Sequence, residues 1–302
     1  MRTLTLTLVA GLALPGISAV QAADLDYGVL RGPDYETEAA VVDWSGVYVG
    51  GFAGYTSASL GFKNAFEPLV AKALKDTTAE TEFNASTLLA PISARVGGAS
   101  YGAFAGYNYQ FDDTVIGVEV DYTRFDLSGS TSDSISRFKT TSGGYLETVA
   151  LSGIAATKIE DYGTIRARAG YAFGSLLPYI TGGLAIGRAQ VSDQVNIQYY
   201  GYDQATYQAN LANTTGAPAY VNRFGYASFN STSPGASTPA APYVVRRAST
   251  KTVGGIALGA GVEWALTQNI VLRGEYQYVL FNDFDSHKVN INTVRAGAAI
   301  KF

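Results

Sequence analysis

Residues 115 to 123, VIGVEVDYT, alternate strictly between apolar and polar or small side chains. Ile116, Val118, Val120 and Tyr122 share one face of an extended strand, while Gly117, Glu119, Asp121 and Thr123 share the other. A helix would scatter both sets around its circumference. The same period returns in residues 162 to 173, where Ile165, Ala167, Ala169, Tyr171 and Phe173 oppose Thr164, Arg166, Arg168, Gly170 and Ala172. In residues 252 to 266, Ile256, Leu258, Ala260, Val262, Trp264 and Leu266 oppose Gly255, Ala257, Gly259, Gly261 and Glu263. In residues 270 to 281, Ile270, Leu272, Tyr276, Tyr278 and Leu280 oppose Arg273, Glu275 and Gln277. The C-terminal VRAGAAIKF sets Val294, Ala296, Ala298, Ile300 and Phe302 against Arg295, Gly297, Ala299 and Lys301. Weaker alternation marks residues 47 to 56, 99 to 110 and 178 to 188. The pattern predicts eight strands, each of about 9 to 14 residues, a length that crosses an outer membrane at the tilt of a barrel strand.

The connections predict the orientation. Residues 111 to 114, Gly174-Ser175 and Thr267-Gln268-Asn269 are short links, whereas long segments follow Ser57, Phe125 and Arg188. The last link, near Asn282 to Lys288, is short again. Such alternation predicts tight periplasmic turns and long outer loops, with both ends of the barrel on the periplasmic side. The fold class expected is therefore all-β: an eight-stranded antiparallel up-and-down transmembrane barrel. Aromatic residues fall into two groups. Trp44, Tyr107, Tyr109, Tyr171, Phe173, Trp264 and Phe302 lie at periplasmic strand ends, and Tyr55, Tyr101, Tyr122, Phe125, Tyr278 and Phe281 near outer ends, as two interfacial girdles would require.

Composition agrees with a sheet half in lipid. Only 15% of residues are charged, mean hydropathy is +0.07, and no run beyond the N-terminal segment has the length of a transmembrane helix. A net charge of −4 gives no reason to expect nucleic acid. With no cysteine, disulfides and thiolate metal sites are excluded. Met1-Arg2, an apolar run from Leu4 to Leu14 and the small-residue site before Ala23 predict a signal peptide over 1–22 and export to the outer membrane. Residues 23–43 form an acidic leader without apolar period, and 44–302 the barrel domain.

DWSGVYVGGFAGY (43 to 55), GYNYQF (106 to 111), LPYITGGLAIGR (177 to 188) and VRAGAAIKF resemble the porin-like outer-membrane β-barrel surface antigens of alphaproteobacteria, relatives of the OmpA-type barrel. The resemblance spans the strands from Trp44 to Phe302 and leaves out the loops. It implies that the terminal Phe302 belongs to a signal read by the outer-membrane assembly machinery. Some members of that family bind haem at the surface. This chain has a single histidine, His287, and no cofactor is expected.

The inward faces carry Glu119, Asp121, Arg166, Arg168, Glu263, Arg273, Glu275, Arg295 and Lys301. Four acids and five bases predict a self-neutralising network that fills the barrel, since eight strands leave room only for side chains. Glu263 is expected to pair with Arg273 across a hairpin turning at Thr267-Gln268-Asn269. The alternatives are a general diffusion porin and an outer-membrane lipid hydrolase. His287 stands beside Asp285 and Ser286 in DFDSHK, but neighbours on a strand cannot converge on one point, so a solvated rim histidine and no catalytic residue are expected. No phosphate loop, EF-hand or zinc pattern is present.

Arg188, Arg246, Arg247 and Lys251 flank the third outer loop and are expected to meet lipopolysaccharide phosphates at the rim. That loop, residues 190–245, holds seven of the 21 tyrosines among small polar residues, with only Asp193, Asp203 and Arg223 charged. Such composition suits contact with a host or neighbouring surface. Residues 63 to 75 break the strand period and predict a short helix, with Leu69, Val70, Ala73 and Leu74 on one apolar face, in the first outer loop.

Overall fold

Eight long strands run in chain order around a closed ring in the computed structural model, which describes residues 42–302. The expected signal peptide and all but the last two residues of the acidic leader lie outside the described residues. The strands are β1 (Gly46–Gly61), β2 (Ala94–Phe111), β3 (Thr114–Thr140), β4 (Tyr145–Tyr171), β5 (Leu176–Asp203), β6 (Tyr243–Ala265), β7 (Ile270–Phe284) and β8 (His287–Lys301). Each pairs antiparallel with its sequence neighbours. Pairing of β1 with β8, with Tyr48 opposite Lys301, closes the ring through the lower half of the molecule.

Tight turns join β2 to β3 at Asp112-Asp113, β4 to β5 around Gly174, and β6 to β7 around Thr267-Gln268-Asn269. Gly174 has φ +59° and Asp112 φ +49°, left-handed values that glycine and aspartate tolerate in turns. At the opposite end, Asp285 and Ser286, both with positive φ, close the β7–β8 hairpin in two residues.

The second outer connection is not a loop. β3 and β4 continue as a hairpin that turns only at Thr141–Gly144, and β5 and β6 also rise far beyond the lengths expected from sequence. The cause is a reversal of polarity along the strands. In the lower half, Ile116, Val118, Val120, Ile165, Ile180, Leu184, Ile256 and Leu258 point outwards and are exposed, while charged groups point in. A continuous band of this kind is stable only against hydrocarbon. In the upper half, the outward column of β3 is Ser128, Ser130, Ser132, Ser134 and Ser136, and that of β5 includes Gln190, Ser192 and Gln194. The inward positions there are Leu127, Val149, Leu151, Ala155, Val191, Val195 and Ile197. The wall below is built for lipid and the wall above for water.

A β-bulge marks the changeover. Between Ile159 and Asp161 the β4–β5 register slips by one, so that Glu160 and Asp161 both face outwards. Lys158 pairs with Glu160 at 2.8 Å and Arg188 pairs with Asp161. A second irregularity in β3, between Arg124 and Leu127, lies opposite.

The first outer segment folds inwards. α1 (Glu67–Ala73), opened by Pro68 near its start, and α2 (Thr78–Thr81) carry an apolar face into the upper barrel. Phe62, Phe66, Leu69, Val70 and Leu74 are buried in one cluster with Val149, Leu151, Val195 and Ile197. Phe66 lies so close to Gly153 that a Cβ there would fall 2.8 Å from the ring. The helix expected over 63 to 75 therefore forms, and it acts as a plug.

Two aromatic expectations change. Phe125 and Phe281 point inwards and belong to this plug cluster rather than to an outer girdle, because both sit on the inward parity of their strands. Trp44 is 1% exposed. It packs with Val115, Ala172, Leu177, Ala265 and Val271 across the periplasmic mouth, and its Nε1 donates to Gly174 O at 3.3 Å. It lies just before β1, so strand alternation does not govern it. Trp264, at 50% exposure, does face lipid, as do Tyr107, Tyr109, Tyr171 and Phe173.

Candidate functional site

The barrel interior between Trp44 and the plug is filled by charge. Glu119 and Asp121 come from β3, Arg166 and Arg168 from β4, Glu263 from β6, Arg273 and Glu275 from β7, and Arg295 from β8. Arg166 reaches Glu119 at 2.6 Å, Asp121 at 2.9 Å and Glu275 at 2.5 Å. Arg273 contacts Glu119 at 2.7 Å and Glu263 at 2.5 Å. Arg168 meets Glu263 at 2.9 Å, and Arg295 meets Glu275 at 2.9 Å and Asp121 at 3.4 Å. Four carboxylates thus face four guanidiniums, all buried. Desolvating any one of them alone would cost several kcal/mol, by order of magnitude, and each is offset by two or more partners.

Aromatic shelves, not anticipated from sequence, support the guanidiniums. Arg273 lies 4.0 Å from the Phe104 ring centroid, Arg168 4.2 Å from Tyr179 and Arg295 4.3 Å from Phe52. Tyr48 donates to Glu119 at 2.9 Å and Tyr179 to Glu275 at 2.8 Å. Room for the rings comes from glycine: a Cβ on Gly102 would lie 2.5 Å from the Phe52 ring. The sequence signal was available, since Tyr48, Phe52 and Phe104 share the polar parity of their strands, each with glycines nearby.

Lys301 stands apart. It is buried below the network, lining a small space with Trp44, Tyr48 and Asn108, and makes no ion pair among the described residues. It sits at the periplasmic end of β8, opposite Tyr48 of β1, and Glu263 lines the same small space. Phe302 is 75% exposed on the outer face, with its amide donating to Val47 O at 2.9 Å.

His287 is not a solvated rim residue. It is fully buried, edge-on to Phe62 at 5.3 Å between ring centroids, and stacked near Phe284. Its Nδ1 meets Thr157 Oγ1 at 2.7 Å and its Nε2 meets the Asp193 carboxylate at 3.1 Å. Asp285 and Ser286 form the turn instead. The hydroxyl, imidazole and carboxylate are all shut from solvent. Asp193 also binds Arg247, whose guanidinium donates to Asp285 O at 2.9 Å and, more loosely, to Ala65 O of the plug at 3.4 Å. Arg247 thereby ties β5, the β7–β8 turn and the plug together.

This placement corrects the expected rim cluster. Arg188 and Arg246 point outwards, but Arg247 and Lys251 share the opposite parity of β6 and point in, Lys251 to Asp285 at 2.9 Å. Odd positions of β6 are inward throughout, from Val253 and Ala257 upwards, so adjacent arginines cannot both face the rim. No group of His, Asp and Glu among the described residues is arranged to hold a metal ion.

A family model for the outer membrane protein beta-barrel domain matches residues 11–302. The chain is 29% identical over 308 residues to the 31 kDa outer-membrane immunogenic protein of Brucella melitensis, covering 98% of each chain. It is 27% identical over 207 residues to a 22 kDa outer membrane protein of Rhizobium leguminosarum bv. viciae, covering 66% of this chain and 64% of that one. Among solved structures, the outer membrane protein OprG from Pseudomonas aeruginosa aligns over 85% of this chain and 96% of its own, at 12% identity and a TM-score of 0.33.

Proposed function

The chain belongs to the outer membrane protein β-barrel domain family, and on that footing we propose that it is a closed surface-antigen barrel whose lumen is filled rather than open. The observation that carries this reading is the stack of three seals along one axis. Trp44 and its apolar neighbours cover the lower mouth, the charge-balanced network fills the middle, and the α1 plug fills the top. A hydrated path would have to displace arginines that each hold two or more carboxylates or aromatic rings. Any conductance is therefore small. Single-channel recording in a planar bilayer tests it: a persistent nanosiemens-scale open state would overturn the filled-lumen reading in favour of a diffusion porin.

The partners that accompany this reading are lipids and surfaces. Lipopolysaccharide phosphates are proposed at outward-facing Arg188 and Arg246, and the assembly machinery at the last strand with Phe302. The loop within residues 190–245 is proposed to face the outside and to meet a host or neighbouring surface. Its core, residues 204–242, stands on the water-facing upper wall of β5 and β6, which supports that orientation.

A further inference from the structure

Residues 204–242 contain one charged side chain, Arg223. No carboxylate lies within ion-pairing distance of it among the described residues. Instead its guanidinium is held between two rings, 5.3 Å from the Tyr220 centroid and 4.9 Å from Phe229. Elsewhere in this protein arginines that stack on rings also hold carboxylates, as Arg168, Arg273 and Arg295 do. Arg223 has the shelf without the anion.

The surroundings form a built pocket rather than a loose loop. A cavity of about 410 Å³, within the range of ligand pockets, is lined by Arg223, Tyr207, Tyr220, Asn210, Ser231 and Thr232. The helix α3 (Gln204–Ala212) forms one side and is capped by Asp203, whose carboxylate accepts from Thr206 N at 2.9 Å. Asn210, on the same helix, ties the facing segment to it by donating to Ala219 O and accepting from Ala219 N, both at 2.7 Å. Arg223 itself is anchored through its backbone, opposite Tyr202 of β5. Beneath it Tyr202, Tyr226 and Phe229 pack ring against ring, at 5.7 Å and 5.0 Å between centroids. The cost of ordering these groups is met in the fold, before any ligand arrives.

We propose that this pocket binds an acidic saccharide, with the carboxylate on the Arg223 guanidinium and the sugar ring against Tyr207 and Tyr220. A planar guanidinium fork fixed by stacking presents two parallel donors to a carboxylate. The phenol hydroxyls of Tyr207 and Tyr220 and the hydroxyl of Ser231 have no hydrogen-bond partner among the described residues, so they are free to meet sugar hydroxyls. Aromatic faces suit the apolar C–H face of a pyranose, and a rigid phenol gives contact area at little cost in entropy. A run of acidic peptide would call for several cations, and the pocket offers one.

The inference rests on the reading that this loop faces outside, and the test separates the two. The purified barrel in nanodiscs is titrated with 3′-sialyllactose against lactose, representing a host-cell terminus, and with methyl glucuronide against methyl glucoside, representing an envelope polysaccharide. We expect one carboxylated probe to bind about tenfold more tightly than its neutral counterpart, and the tighter of the two identifies the source. Arg223→Met should erase the preference, while Arg223→Lys should retain part of it. Equal binding of acid and neutral probes, an unchanged preference in Arg223→Met, or tetraglutamate binding as tightly as either sugar would overturn the proposal. Because the chain has no cysteine, Ala227→Cys on intact cells reports loop position with a membrane-impermeant maleimide. Failure to label removes the outward-facing reading, whereas labelling without sugar preference removes the ligand alone.

Discussion

Arg273 lies directly opposite Glu263 across the β6–β7 hairpin, and its Nε donates to Glu263 Oε1 at 2.8 Å. Neither is open to solvent. Arg273 also holds Glu119 and Glu263 also holds Arg168, so the pair is one link in a neutral lattice. Glu263→Gln or Arg273→Met alone leaves an unmatched buried charge and should destabilise by about 3–5 kcal/mol. The double variant restores neutrality and should lose less than the sum of the two. Urea midpoints of the barrel in lipid vesicles give the three values, and strict additivity would mean that the pair is not coupled.

Arg247 is expected to keep the plug in place. Arg247→Met removes its bonds to Asp193, Asp285 and Ala65 at once. Loss of even one charge-assisted bond, ~1.5 kcal/mol, should raise local opening of the plug about tenfold. Limited trypsinolysis after Lys72 and Lys75, both exposed on or just beyond α1, should quicken accordingly. Arg246→Met, one residue away but pointing outwards, should leave the rate unchanged.

The two tryptophans should report two solvents. Trp264 faces lipid and Trp44 is sealed within the lower mouth. In vesicles with brominated acyl chains, the Trp44→Phe variant should therefore lose most of its fluorescence, and the Trp264→Phe variant should keep most of its own. Equal quenching of both would place Trp44 on the lipid face and undo the lower seal.

Lipopolysaccharide contact should follow side-chain direction rather than sequence proximity. Charge reversal at Arg188 and Arg246 together should lower co-purified lipopolysaccharide. Reversal at Arg247 and Lys251 should not, although it should weaken the upper barrel through Asp193 and Asp285. If the inward pair had the larger effect on lipid, the rim assignment would fail.

The lower half of the molecule was legible because its two faces meet different solvents and the turn at Thr267-Gln268-Asn269 sets the register. The Glu263–Arg273 pairing follows from that count alone. The upper half was not, because β3 to β6 keep a period of two while exchanging which face is apolar, and the β4 bulge breaks the parity at Glu160-Asp161. The inward turn of Arg247 could have been counted from Ile256. The burial of His287 could not, since its partners Thr157 and Asp193 come from strands more than 90 residues away.

The bulge that turns Glu160 and Asp161 outwards also sets how deep the barrel can sit. Each residue of strand spans about 3.3 Å, so sinking by one or two positions would carry both carboxylates, with Lys158 and Arg188, into hydrocarbon. Rising by as much would bring Ile186, exposed on the outer face just below Arg188, into water. A charged step above an apolar one acts as a draught line, and it lies on one flank, across β3, β4 and β5, where Lys158 also meets Asp126 at 3.3 Å. The opposite flank, β1 and β8, carries no such outward ion pair among the described residues. The level at which this wall leaves hydrocarbon is therefore written in charge along one side of the ring and only in apolar side chains along the other.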